Sequence, residues 1–131
     1  MTLDDHAAEE ATIRRDWVLF TALTFLFGFG FAVYNGVFQN YLRDVLHAGP
    51  LDLGRLESLR EIPGLLAALM AGTLVALAES RVAAIGLFIC GIGILVTGWI
   101  TEYTPLVLAT VFWSIGFHIY ATVGSAITLA L

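Results

Sequence analysis

The segment ESLREIPGLLAALMAG, residues 57–72, carries charged side chains directly into an apolar run. Glu57, Arg60 and Glu61 are spaced so that Arg60 can pair with Glu57 along one face of a helix. Ionisable side chains inside a membrane span are costly and typically mark a substrate or ion pathway. A solvated helix N-terminus would explain the same residues without any chemistry. The sequence therefore leaves two hypotheses for Arg60 and Glu61: the charged rim of a substrate cavity, or a solvated helix end.

A stripe of polar residues follows the last apolar segment at helical spacing. It consists of Ser114, His118, Thr122 and Ser125. Histidine is the side chain whose unperturbed pKa lies nearest physiological pH, so His118 is either a protonation switch or a hydrogen-bonded packing residue. Ser125 lies about 10 Å from His118 along the helix axis, too far for the hydrogen bond that activates a nucleophile. We therefore predict that Ser114, His118 and Thr122 line a cavity, and we expect no enzymatic activity.

Two amide side chains, Asn35 and Gln39, share one face of the first apolar segment with Gly28. Uncharged amides in a membrane helix either hydrogen-bond to a neighbouring helix or line a cavity, and the sequence leaves both open. Gly28 and Gly30 are not a phosphate loop, because a dinucleotide-binding fingerprint follows a strand of a soluble domain. Asn35 and Gln39 are therefore further candidates for a substrate or ion cavity.

The composition is that of a membrane protein. Of the 131 residues, 59% are hydrophobic and 13% are charged, and the mean hydropathy is +0.87. Soluble domains are about 45–50% apolar and about 25% charged. The six basic residues are all arginines and the net charge is −5, so we expect no nucleic-acid partner. Cys90 is the single cysteine, which excludes an intrachain disulfide, and we expect no metal and no cofactor.

Four apolar segments approach the length needed to cross a membrane core of about 30 Å. We predict an all-α polytopic membrane protein with a soluble N-terminal tail at 1–16 and a partial transmembrane domain at 17–131, whose helices lie at about 17–42, 59–78, 82–100 and 106–131. The stretch from Pro63 to Ala78 would span only about 24 Å. The second helix must therefore begin near Leu59, with Asp52 available as an N-cap further back, and bend at Pro63, which draws Arg60 and Glu61 towards the membrane.

Short connections and small residues predict how the helices pack. Only residues 78–81 and 101–105 join the last three helices, so consecutive helices are expected to be antiparallel neighbours. Small residues recur along one face of the second and third helices, at Gly64, Ala68, Gly72 and Ala76 and at Gly86, Cys90, Gly93 and Thr97. Such ridges allow close approach of a neighbouring backbone, so we interpret them as packing surfaces.

Several of these features occur together in a known family. A glycine-rich first helix ends in FQNYL, the second contains IPGLLAALMAG, the turn AESR follows, and the fourth contains WSIGFHIY. Residues 17–131 resemble the first four of the twelve helices of a major facilitator superfamily (MFS) transporter. The resemblance implies a six-helix bundle paired with a second bundle, a central site for a small solute, alternating access and a cytoplasmic N-terminus in the cell membrane. It also implies that the first and fourth helices, which carry the amides and the polar stripe, contribute to the central cavity.

The resemblance further implies a gating turn between the second and third helices. Gly72, Glu79 and Arg81 are the candidates for this turn, but Ala76 stands at the position of the family's aspartate and the later basic pair is missing. The implied partners are the lipid bilayer, a small-molecule substrate, protons and the remaining helices of a longer chain. Because the last apolar segment reaches Leu131 without a polar or aromatic flank, we expect the chain to be a fragment.

Two other classes remain open. A self-contained four-helix oligomeric exporter needs a membrane-embedded carboxylate in its first helix, and residues 17–42 contain none. A four-helix membrane subunit without transport would explain the small-residue ridges but not the polar stripe. About eight further spans encoded after Leu131 would favour the transporter, and an immediate stop codon would favour either alternative.

Overall fold

A computed structural model describes residues 3–70, 72 and 80–130, and these residues are almost entirely helical. The helices are α1 (Leu3–Asp44), α2 (Pro50–Arg60), α3 (Ile62–Leu69), α4 (Ser80–Thr97) and α5 (Tyr103–Ala130). Within these described ranges there is no β-strand. The predicted all-α class is therefore confirmed.

Among the residues that the structure describes, three helical segments are long and apolar enough to cross a membrane. They are Asp5–Asp44, Ser80–Thr97 and Tyr103–Thr128. Large apolar side chains on these helices are exposed, among them Phe25 and Phe88. Many exposed large apolar side chains are unfavourable in water, whereas they are well solvated by lipid tails. The chain is a multi-pass membrane protein, as its composition predicts.

The chain divides into two compact units, of which the first ends at Phe38 and the second is Gln39–Ala130. The described part of the first unit lies within α1. Aromatic rings stack along this helix at i, i+4 spacing, as in the pairs Phe27–Phe31 and Tyr34–Phe38. The helix also begins earlier than the predicted residue 17, because the polar run AAEEA at residues 7–11 consists of strong helix formers.

The second predicted helix differs from the structure in its start and its continuity. It begins at Pro50 rather than near Leu59, because proline is well suited to a first helical turn and the Gly49 N–H donates to the Asp52 carboxylate at 3.1 Å. Asp52 thus caps the helix from inside its first turn. The end predicted at residue 78 lies outside the described residues.

The single bent helix predicted around Pro63 is divided into two at Glu61. Pro63 is the second residue of α3 and has no N–H to continue the hydrogen-bond ladder. The backbone nevertheless stays right-handed at Glu61, with φ −82° and ψ −11°. The Leu65 N–H donates to the Glu61 carbonyl at 3.1 Å across the junction. The hydrogen-bond ladder is therefore interrupted between two short helices, and the bend at Pro63 stays a prediction.

The close contact of α4 with α5 is the core of the second unit. The predicted ridge Gly86, Cys90, Gly93 and Thr97 is buried along its whole length, as predicted for a packing surface. A Cβ added at Gly86 would lie 2.9 Å from the Gly116 carbonyl oxygen, and one at Gly93 would overlap the Trp113 side chain. Glycine therefore allows the two backbones to come into contact. The van der Waals packing that results is a main source of attraction between helices in lipid.

The ridge predicted on the second helix is a contact surface only at its first residue. A Cβ at Gly64 would overlap the His118 ring, whereas one at Gly72 would meet nothing within 4 Å, and Ala68 is exposed. Ala76 lies outside the described residues. α3 ends at Leu69, where Met70 leaves the helical conformation with φ −95° and ψ 5°. A packing role for Ala68 and Gly72 therefore stays a prediction.

Two tyrosines join the helix ends at one side of the second unit. The Tyr41 hydroxyl donates to the Ile100 carbonyl, and the Tyr103 hydroxyl donates to the Asp52 carbonyl at 2.6 Å. These bonds hold the end of α1, the start of α2 and the connection between α4 and α5 together. That arrangement agrees with the antiparallel order predicted from the short connections.

Candidate functional site

The break between α2 and α3 faces the middle of α5, and four ionisable side chains meet there. We call Glu57, Arg60, Glu61 and His118 the ionic cluster. His118 lies about 22 Å along the helix axis from Tyr103 and about 15 Å from Thr128, the two ends of that span. The ionic cluster therefore sits well inside the apolar part of α5, where charges are expensive and commonly functional.

Arg60 is the centre of the ionic cluster. Its guanidinium pairs with the Glu57 carboxylate, as the i, i+3 spacing predicts, and its Nε lies 3.5 Å from Glu61 Oε1. The guanidinium also stands 5.7 Å from the centroid of the Trp113 ring. The Arg60 side chain is only 17% exposed, whereas that of Glu61 is 58% exposed. Arg60 is thus held in place by Glu57, Glu61 and Trp113. The Glu61 carboxylate is the more exposed of the two charged groups.

The hydrogen bonds of His118 define which ring nitrogen can exchange a proton. Nδ1 lies 2.9 Å from the Ser114 carbonyl oxygen and 3.1 Å from the Ser114 hydroxyl. A carbonyl only accepts, and the Ser114 hydroxyl hydrogen is donated to Arg60, so we assign the proton of the neutral ring to Nδ1. Nε2 is then the acceptor nitrogen of the neutral ring, and it faces Glu61 Oε2 at 3.7 Å.

Ser114 supports the broken helix rather than acting as a nucleophile. It is completely buried, and its hydroxyl donates to the Arg60 carbonyl at 2.6 Å. Arg60 is the last residue of α2, where carbonyl groups lack the normal helical partner. Hydroxyl side chains of a neighbouring helix are one of the groups that satisfy backbone atoms at a proline break in a membrane. Ser114 therefore positions both Arg60 and His118.

Replacing Ser114 with Ala is expected to lower the free energy of unfolding by about 1–2 kcal/mol, because the Arg60 carbonyl loses its donor in an apolar setting. The measurement is unfolding in mixed micelles, followed by circular dichroism. Ser125→Ala is the matched control, since Ser125 is exposed and bonds only to the Ala121 carbonyl of its own helix. Equal losses in the two variants would contradict the assignment of Ser114 as a support for α2.

Gly64 is a site residue whose role sequence reasoning did not distinguish from general packing. A Cβ at this position would overlap His118 Nε2 and lie 2.8 Å from Cδ2 of the same ring. The glycine therefore makes the room in which the imidazole sits beside Glu61. The sequence signal was the Pro63–Gly64 pair directly after the charges, but only the crossing of α3 with α5 identifies its neighbour. Trp113, which is not part of the polar stripe, is likewise brought against Arg60.

The other predicted cavity residues are Thr122, Asn35 and Gln39. Thr122 donates to the His118 carbonyl at 2.8 Å, a bond within its own helix. Asn35 belongs to the first unit, where its amide donates to the Phe31 carbonyl at 2.8 Å. Gln39 begins the second unit and is exposed. The cavity roles of these three residues remain predictions.

The candidates for the gating turn also stay predictions, because no side-chain contact among the described residues assigns them a role. Gly72 and Arg81 are exposed, and Glu79 lies outside the described residues. In the part of the chain that the structure describes, no three His, Cys, Asp or Glu side chains form a group that could hold a metal ion. The ionic cluster is therefore the candidate site for which the structure shows the interacting atoms and their partners.

The chemistry open to the ionic cluster is an exchange of ion-pair partners. Neutral His118 presents an unprotonated nitrogen to the Glu61 carboxylate, and two acceptors form no hydrogen bond, whereas the imidazolium form would offer a charged donor that competes with Arg60 for the same carboxylate. Comparison of the chain with protein-family models, curated proteins and solved structures gives no match.

Proposed function

We propose that this chain is part of a secondary active transporter that moves a small solute by alternating access, with protons as the coupling ion. The observation that carries the proposal is the half-buried ionic cluster, in which His118 Nε2 faces Glu61 well inside a span. Intramembrane ionisable residues that pair with one another mark ion and substrate pathways. The resemblance of residues 17–131 to the MFS places such a pathway at the centre of a larger bundle, with the N-terminus in the cytoplasm.

The coupling follows from the two protonation states of His118. In the neutral state Glu61 pairs with Arg60 alone, so α2 is tied to the start of α3 by one side chain. In the protonated state Glu61 is shared between Arg60 and the imidazolium on α5. Because these two arrangements place different forces on the break at Glu61, each favours a different angle between α2 and α3. A proton that biases two conformations differently also changes the affinity of any ligand that distinguishes them.

A membrane subunit without transport is the second candidate. The buried contact of α4 with α5 through Gly86, Gly93 and Gly116 would suit a scaffold as well as a transporter. A scaffold gives no account of four ionisable groups in the apolar interior. The ionic cluster therefore favours transport, whether by a longer chain or by a small oligomeric exporter.

Replacing His118 with Gln is expected to remove the pH dependence of transport between about pH 5 and pH 8, because glutamine keeps hydrogen bonding but does not titrate. The full reading frame is reconstituted in liposomes loaded with a pH-sensitive dye. Proton movement on addition of candidate solutes is then measured at a series of external pH values. His6→Gln, at an exposed histidine in the first turns of α1, is the matched control.

A wild-type pH profile in the His118→Gln protein would show that His118 is a packing residue and would remove protons from the mechanism. Absence of solute-driven proton movement in the wild type, across chemically diverse solutes, would favour the scaffold.

A further inference from the structure

A second site lies apart from the ionic cluster, in a groove between α2 and the start of α5. The groove is open on one side and has a volume of about 730 Å³. Its walls are mainly apolar and include Leu51, Leu59 and Val107, and Arg55 and Thr104 also line it. A Cβ at Gly54, which also lines the groove, would meet nothing within 4 Å, so the floor is open.

The groove lies at the level where the membrane meets water. Tyr103, which contributes to it, is the first residue of the α5 span. Trp99, just before that span, is 72% exposed. Tyrosine and tryptophan at the end of an apolar helix are typical of the headgroup region. A ligand in this groove would therefore have its polar end among the lipid headgroups and its apolar end against the acyl chains.

Arg55 is the charged side chain among the residues that line the groove. Arg15, Arg43 and Arg60 each pair with a carboxylate, but Arg55 forms no ion pair with any described residue. The nearest acid in sequence, Asp52, turns its carboxylate to the Gly49 N–H and does not line the groove. An arginine guanidinium is suited to bidentate hydrogen bonding with a phosphate group.

We propose that this groove binds one anionic phospholipid, whose phosphate pairs with Arg55 and whose acyl chain lies along Leu51, Leu59 and Val107. The charge selects an anionic headgroup over a zwitterionic one, and the apolar walls select a lipid over a free phosphate. A bound lipid would fill the space between α2 and α5. The site is independent of the proposed transport function, since it requires only the membrane and the described residues.

The test is native mass spectrometry of the purified chain released from micelles that contain equal amounts of phosphatidylglycerol and phosphatidylcholine with identical acyl chains. One phosphatidylglycerol is expected to stay bound in preference to phosphatidylcholine. Arg55→Gln is expected to reduce that preference by about fivefold, the effect of one basic side chain at a membrane surface. Arg81→Gln is the matched control, because Arg81 is also exposed but does not line the groove.

A second variant separates the groove from the charge. Gly54→Leu fills the groove and is expected to abolish retention of both lipids while Cys90 stays buried and unreactive, which shows that the fold is intact. Equal retention of the two lipids, or an unchanged preference in Arg55→Gln, would overturn the proposal. Displacement of the lipid by inorganic phosphate would reveal a simple anion site, and a lipid-free dimer that Gly54→Leu dissociates would show that a second copy occupies the groove; either result would also overturn it.

Discussion

Replacing Arg60 with Gln is expected to lower the free energy of unfolding by about 3 kcal/mol at neutral pH. Removing one partner of a buried ion pair typically costs about 3–5 kcal/mol, because the remaining charge is left uncompensated. The lower end applies here, since the Glu61 side chain is more than half exposed. The carboxylates of Glu57 and Glu61 would both lose their cation inside the apolar part of the second unit.

The measurement is unfolding at neutral pH in mixed micelles free of anionic lipid, with Arg55→Gln as the matched control. Arg55 lies on the same helix but has no ion pair with the described residues, so its replacement is expected to change stability by less than about 0.5 kcal/mol. A cycle with Glu57→Gln measures the pair directly. The double variant is expected to lose less than the sum of the single variants, with a coupling of about 1–3 kcal/mol. Strict additivity, or equal effects of the two arginine substitutions, would show that Arg60 is not held by the contacts described.

Replacing Gly116 with Ala is expected to separate α4 from α5 and to lower the free energy of unfolding by about 1–3 kcal/mol. An added Cβ would overlap the Gly86 carbonyl oxygen and lie 2.5 Å from the Cys90 amide nitrogen. Both neighbours are backbone atoms, so no side chain can rotate to relieve the overlap. One methyl group must therefore move a whole helix, although alanine has a higher intrinsic helix propensity than glycine.

Cys90 supplies the measurement, because it is the single cysteine of the chain and is completely buried. Its reaction with a maleimide is expected to be slow in the wild type and clearly faster in Gly116→Ala. Gly91→Ala is the control, since a Cβ at Gly91 would meet nothing within 4 Å. That variant is expected to be neutral or slightly stabilised and to leave Cys90 protected. An unreactive Cys90 in Gly116→Ala would contradict the close approach of the two helices.

Local rules were sufficient for the helices that are regular throughout. The third and fourth predicted helices, at 82–100 and 106–131, correspond to α4 and α5 within a few residues at each described end. Their ridge of small residues is buried as predicted, because spacing along a regular helix determines which residues share a face. The second predicted helix failed where that regularity ends. The helix begins at Pro50 because Gly49 and Asp52 cap it there, and it is interrupted near Glu61 because Pro63 lacks an N–H. Local hydropathy indicates neither of these features.

Parts of the candidate site were predictable from composition and spacing. The pairing of Arg60 with Glu57 required only i, i+3 spacing, and the candidate role of His118 required only an ionisable residue in an apolar segment. The partners across helices were not predictable. Ser114 was interpreted as a cavity residue, yet its hydroxyl supports the Arg60 carbonyl, and Gly64 was one of many small residues until its neighbour was known.

The sequence by itself determined that this is an all-α membrane protein with ionisable groups in its interior, since composition and helical period depend on neighbours a few residues apart. Only the tertiary structure decided that His118 Nε2 faces Glu61, that Arg60 lies against Trp113 and that glycine brings α4 against α5. These contacts join residues 20 or more positions apart. They depend on the angles and offsets at which helices cross, and those are set by the packing of whole surfaces rather than by any local pattern.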